Sequence, residues 1–100
     1  MYQLAFSSQA YMDMRNLSDT IMYTYKMPLT AEKYIRGLRQ EIEQLRRNPE
    51  AYHIQTSCSL LQYGTNVRRI NYKKMAIIYT IHENTVYIHR IIAALMITRL

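Results

Sequence analysis

The spacing of apolar residues in this chain changes once, and that change decides what it can fold into. Over residues 10–45 they recur every three or four positions, whereas from residue 57 onward they come in short runs rich in β-branched and aromatic side chains, divided by turn residues. A helix that buries one stripe needs a surface to lie on, and a sheet with one apolar face supplies it. The order therefore implies an α+β chain, and 100 residues suffice for a single domain, 1–100, around one modest core.

Tyr2, Leu4 and Phe6 alternate with Gln3 and Ala5, which predicts a short strand, and Ser7 and Ser8 then offer hydroxyls to cap a helix. Ala10, Met14, Leu17, Ile21 and Tyr25 share one face of that helix, with Asp13, Arg15, Asn16 and Asp19 largely off it; Pro28 requires it to end. Thr30 is the expected N-cap of a second helix, with Glu32 in its first turn. Its apolar stripe is Ala31, Tyr34, Ile35, Leu38, Ile42 and Leu45, and Arg46 and Arg47 lie near its negative end, before Asn48 and Pro49 break the pattern. Four β runs follow, over residues 57–63, 67–72, 75–81 and 85–94, with turns at Gly64-Thr65-Asn66, Lys73-Lys74 and His82-Glu83-Asn84. The reading is an N-terminal strand, an αα-hairpin and an antiparallel meander packed against both helices, β-α-α-β-β-β-β, which the first strand joins. The run 75–81 is the least polar, so it belongs in the middle with both faces covered.

Charge is unevenly spread. Of a net +6, residues 1–55 carry seven Lys/Arg against six Asp/Glu, while residues 56–100 carry Arg68, Arg69, Lys73, Lys74, Arg90 and Arg99 against Glu83 alone. That asymmetry favours an acidic partner. A lone cysteine, Cys58, has no partner for a disulfide or a zinc site and is expected as a buried small apolar residue, which suits a reducing cytoplasm. No apolar run is long enough to span a membrane, the first residues lack the features of an export signal, and His53, His82 and His89 have no metal-ligand spacing; no metal and no cofactor are expected.

Among the cations, Arg68 and Arg69 alternate along a strand, so one faces the helices in a structural role and the other faces solvent or a partner. Arg90 stands out because it interrupts an apolar strand, where an unpaired charge is costly. Lys73 and Lys74 occupy a turn, His82 another, and strand alternation sets His89 and Arg90 on opposite faces. Ten tyrosines against one phenylalanine are read as core-edge fillers, with Tyr11, Tyr25 and Tyr34 on the helices and Tyr79 in the central strand.

The pattern Ala10-x-x-Asp13-Met14-x-x-Leu17, then Ala31-x-x-Tyr34-x-x-x-Leu38-x-x-x-Ile42-x-x-Leu45-x-x-x-Pro49, resembles the helical hairpin of the RelE/ParE superfamily of toxins. Val67-Arg68-Arg69, Ile77-Ile78-Tyr79 and Val86-x-Ile88-x-Arg90-Ile91-Ile92-x-x-x-Met96-x-x-Arg99-Leu100 extend the likeness over nearly the whole chain. The resemblance implies a compact β-α-α-β-β-β toxin of a type II toxin–antitoxin, plasmid-stabilisation module. It also implies a cognate acidic antitoxin whose partly disordered segment wraps the toxin.

Two branches imply different chemistry. RelE-like members cut messenger RNA on the ribosome, which takes a base, an acid and cations at the phosphorane. Their arginine before the central aromatic corresponds to Ala76 here, a second arginine to Met96, and the tyrosine beyond it has no counterpart. Were the chain such a metal-independent endoribonuclease, Arg69, Lys73, His82 and Arg90 would be its catalytic candidates, with His89, Tyr72 and Lys74 in reserve. Met96 and the Arg99-Leu100 ending resemble the ParE branch, which poisons DNA gyrase without catalysis, although the histidine usual after the last strand is Ala93 and the acid usual after the methionine is Ile97. On that closer likeness Arg68, Arg69, Lys73, Lys74, Arg90, Met96 and Arg99 are partner-binding residues. The alternatives are the ribosome and mRNA as targets, or a divergent inactive basic module; a homodimer or a toxin–antitoxin hetero-oligomer is open.

Overall fold

The structure, a computed structural model, describes residues 1–97. Strand β1 (Gln3–Phe6) leads into helix α1 (Ser8–Asp19), and α2 (Pro28–Glu43) returns antiparallel to it as the second arm of the hairpin. Strands β2 (Arg68–Tyr72), β3 (Met75–His82) and β4 (Thr85–Ala93) complete the sheet.

Ser7 caps α1 by accepting a hydrogen bond from the Ala10 backbone N–H at 2.9 Å, as expected of a hydroxyl there. The end of α1 departs from expectation. Its helical path continues as a π turn over Thr20–Thr24, and the wider turn rotates the residues after it, so Tyr25 leaves the stripe on which Ala10 and Met14 are buried and stands exposed. Tyr11 is likewise exposed, leaving Tyr79 in the core and Tyr34 half-buried among those expected. Helix α2 starts at Pro28 and not after a Thr30 cap, because proline's fixed φ suits the first helical position, where no N–H is needed. Ala31, Leu38 and Ile42, then Leu45 just beyond, form its buried stripe.

The sheet order is β1-β4-β3-β2. The β2–β3 and β3–β4 pairs are antiparallel hairpins closed by two-residue turns in which Lys73 and Glu83 take left-handed φ of 53° and 55°. β1 joins as expected but runs parallel to β4, from Gln3 beside Thr85 to Phe6 beside Ile88, so the sheet is mixed. The run 57–63 is not a strand. Cys58–Tyr63 is a 3₁₀ helix, and β2's outer edge is met instead by residues 54 and 55, through an Ile54–Arg68 bridge and a bond from Gln55 N–H to Val67 C=O. Leu60 is the one side chain of that run that is fully covered; a tight helix can plant it on the sheet while leaving Leu61 and Cys58 exposed, against the expectation that Cys58 is buried.

Two cores result. On the helix side, Ala10, Met14, Leu38, Ile42 and Leu45 meet Ile70, Ile77, Tyr79, Val86, Ile88 and Ile91. On the other side, Leu60, Val67, Ala76 and Ile78 form a smaller cluster flanked by Tyr63, Ile92, Ala94 and Ile97. β3 is buried from Ala76 through Thr80 because both clusters share it. Among the described residues no helix is long and apolar enough to cross a membrane.

Candidate functional site

β1 stops at Phe6, so the outer edge of β4 beyond Ile88 has no strand beside it, and α1 covers that edge with side chains. The Ser7 hydroxyl donates to the His89 carbonyl at 2.7 Å. The Asp13 carboxylate accepts the Ile91 backbone N–H at 2.9 Å and takes Arg90 in a fork, Nε at 2.8 Å and Nη2 at 3.1 Å. A carboxylate with three charge-assisted or backbone donors is a strong tether. The hydrogen bond to Asp13 holds the Arg90 guanidinium above its ordinary range, burial works against that, and the neighbouring Tyr63 phenol acts in the same sense as Asp13. Arg90, the cation expected to be costly if unpaired, is thus paired, with 29% of its side chain exposed.

The strand carrying Arg90 is irregular there. Arg90 lies opposite Ile78 but Ile88 lies opposite Tyr79, so His89 is an extra residue, a β-bulge. Strict alternation would send His89 and Arg90 to opposite faces; the bulge overrides it, and both reach Tyr63, the imidazole at 5.4 Å between ring centroids. His89 Nε2 lies 2.7 Å from Thr80 Oγ1, and His82 Nε2 lies 2.8 Å from the same oxygen. Tyr87, opposite Thr80 in register, has its ring against both imidazoles. Burial, and secondarily the nearby His82, pushes His89 below the usual imidazole value.

The remaining candidates lie apart from this cluster. Arg68 faces the helix side and donates to the carbonyls of Glu50 and Tyr52, pinning the 50–52 turn, while Arg69, opposite Ile78, projects from the other face. Lys73 Nζ sits 5.3 Å from the Tyr34 ring centroid and 5.6 Å from that of Tyr72, a cation–π contact on the helix side. Tyr72 reaches α2 only because Gly37 has no side chain, since a Cβ there would fall 2.1 Å from the Tyr72 hydroxyl. Burial, then Tyr72, raises the Tyr34 phenol. The Lys74 carbonyl accepts the Ala94 N–H at 2.9 Å, so that turn borders the end of β4. β3 separates the Lys73-Lys74 turn from His82 by roughly 25 Å. Arg69, Lys73, His82 and Arg90 are therefore not gathered at one point.

Met96 closes a short 3₁₀ helix, Ala94–Met96, after β4, 72% exposed, beside Leu95 at 96%. With Tyr63, Arg90, Ile92 and Ile97 it lines a cleft of about 230 Å³ floored by Leu60. Arg99, the last of the expected contact residues, lies outside the described residues. Among the described residues no three His, Cys, Asp or Glu side chains converge as a metal site would require.

Two parts of the arrangement were absent from the sequence reading. Thr80 and His82, two apart on one strand, were a legible signal for a shared face. Asp13 stands in the motif that resembles the toxin superfamily, but nothing in that motif names Arg90, 77 positions away, as its partner.

A family model described as "ParE toxin of type II toxin-antitoxin system, parDE" matches residues 4–97. Among solved structures, the chain is similar to one titled "Chromosomal ParDE TA system from P. aeruginosa", with TM-score 0.77 and 16% identity, covering 93% of this chain and 96% of that one. At that identity the likeness shows the shared fold. No curated protein sequence matches the chain.

Proposed function

The chain belongs to the ParE toxin family of type II toxin–antitoxin systems, and from that premise we propose that it arrests growth by binding DNA gyrase, in the cytoplasm, with an acidic antitoxin holding it inactive. It performs no catalysis of its own; the inhibitor favours the cleaved-DNA state of its target by binding that state better. The observation that carries this reading is the dispersal of the cations. Cleaving RNA takes a base, an acid and charge stabilisation within reach of one phosphate, yet Lys73 and His82 sit at opposite ends of β3 and the Arg90 guanidinium is occupied by Asp13.

Binding asks for less. The exposed Leu95 and Met96 beside the Arg90 cleft give a partner apolar anchors, and the chain's excess of Lys and Arg favours an acidic, partly disordered segment that folds onto the surface. Loss of supercoiling and accumulation of cleaved plasmid when purified chain is added to gyrase is the expected result. Untouched gyrase together with cut messages on ribosomes would overturn it. That outcome would favour the ribonuclease reading, for which the meeting of His82, His89 and Arg90 around one face is the supporting observation.

A further inference from the structure

We propose that Thr80 ties His82 and His89 into a single proton-binding unit that sets the charge of the open face of the sheet. The reason is a count of hydrogens. A hydroxyl has one to give and two lone pairs, and Thr80 Oγ1 has an imidazole nitrogen at 2.8 Å on one side and another at 2.7 Å on the other. Thr80 is 1% exposed with both rings in place, so the two imidazoles are the groups its hydroxyl meets there. With both rings neutral, the hydroxyl donates to one Nε2 and accepts from the N–H of the other, which gives the two rings opposite tautomers.

A proton on one ring dictates the state of the other. Charged His82 becomes a donor at Nε2, so the hydroxyl turns its hydrogen to His89 and holds that ring neutral with its proton on Nδ1. Charging His89 as well leaves two donors facing one hydroxyl, whose hydrogen must then find another acceptor in a buried place. It also sets two cations within about 5.5 Å of each other. His82 is exposed, whereas burial opposes charge on His89.

The surroundings reinforce this order. Tyr63 from the 58–63 helix packs on the His89 ring, and Tyr87 from β4 packs on both. Arg90 reaches the same Tyr63 with its charge balanced by Asp13, Arg69 of β2 faces the same side across Ile78, and Glu83 follows His82 in the turn. β1 contributes only Gln3 and Ala5 to this face. Over the interval between the two steps the face therefore gains one positive charge and refuses a second.

Imidazole ¹⁵N NMR of the labelled chain between pH 8 and 4.5 tests the unit. The expected result is two midpoints split by about half a unit to two units, His89 the lower, with His89 locked as the Nδ1–H tautomer once His82 is charged. In His82→Ala, at an exposed position, the His89 midpoint rises by a similar amount; in Thr80→Val the lock on the tautomer disappears. An unchanged His89 midpoint in His82→Ala, or a His89 tautomer indifferent to the charge on His82, overturns the proposal. A cooperative thermal transition in each variant confirms that the fold is kept, and the His82→Ala arm stands even if Thr80→Val does not fold.

Discussion

The two faces of the sheet are sealed in different ways. On the helix side, α1 and α2 press long apolar stripes onto alternate residues of β2, β3 and β4, and the seal is continuous and dry. On the opposite side, among the described residues, a short 3₁₀ helix anchored by Leu60 lies on the sheet with Ala94 and Ile97 beside it, and the rest is finished with polar groups: Thr80, His82, His89, Tyr87 and Arg90. The first arrangement holds the molecule together, and the second leaves side chains available for contact. Exposed backbone and half-buried charge are tolerable on the second face only because side chains from α1 reach round the sheet edge to satisfy them.

The contrast gives graded expectations for stability, measurable by denaturant unfolding. Leu38→Ala, in the dry seal, should cost the most, about 4 kcal/mol, because rigid neighbours on helix and strand cannot close the cavity. Asp13→Ala should cost about 3 kcal/mol, since it strands both the Arg90 charge and the Ile91 N–H; a loss below about 1 kcal/mol would mean that the edge tether is ornamental. Leu60→Ala should cost about 2 kcal/mol, less than Leu38→Ala, because a short surface helix can settle inward; an equal loss would erase the distinction between the faces. Tyr79→Phe removes a buried bond from the hydroxyl to the Pro49 carbonyl, 2.6 Å long, and should cost about 1 kcal/mol.

The smallest effect depends on pH. The folded chain resists protonating His89, whereas the unfolded chain takes that proton at the ordinary imidazole value of 6.5. Stability should therefore be unaffected by this group above that value, fall as pH drops below it, and stop falling once the folded imidazole titrates too. His89→Gln should flatten that slope between pH 7.5 and 5.5; an unchanged slope would assign the acid sensitivity to other groups.

How much of this could be read in advance differs between the faces for the same reason. Stripes such as Ala31, Leu38 and Ile42, and a run such as 75–81, declare themselves because one period accounts for every buried residue in them. The 57–63 segment misleads because it buries Leu60 alone, and one apolar residue has no period. The polar cluster was hidden by a single inserted residue: without the bulge at His89, alternation correctly predicts opposite faces. Asp13 is legible as a motif residue off the apolar face of α1, but nothing local shows that β1 ends early enough to leave β4 in need of it.

The pairing of β1 with β4 has a consequence for how the protein comes into being. β1 lies beside a strand about 82 positions further along the chain, so its backbone has no strand partner until the ribosome has released residues 85–88. A growing chain can assemble its helical hairpin early, but the sheet edge, and with it the Asp13 clasp on residues 90 and 91, waits for β4. A molecule whose proposed role is to stop growth would thus acquire its finished surface only after β4 has left the ribosome.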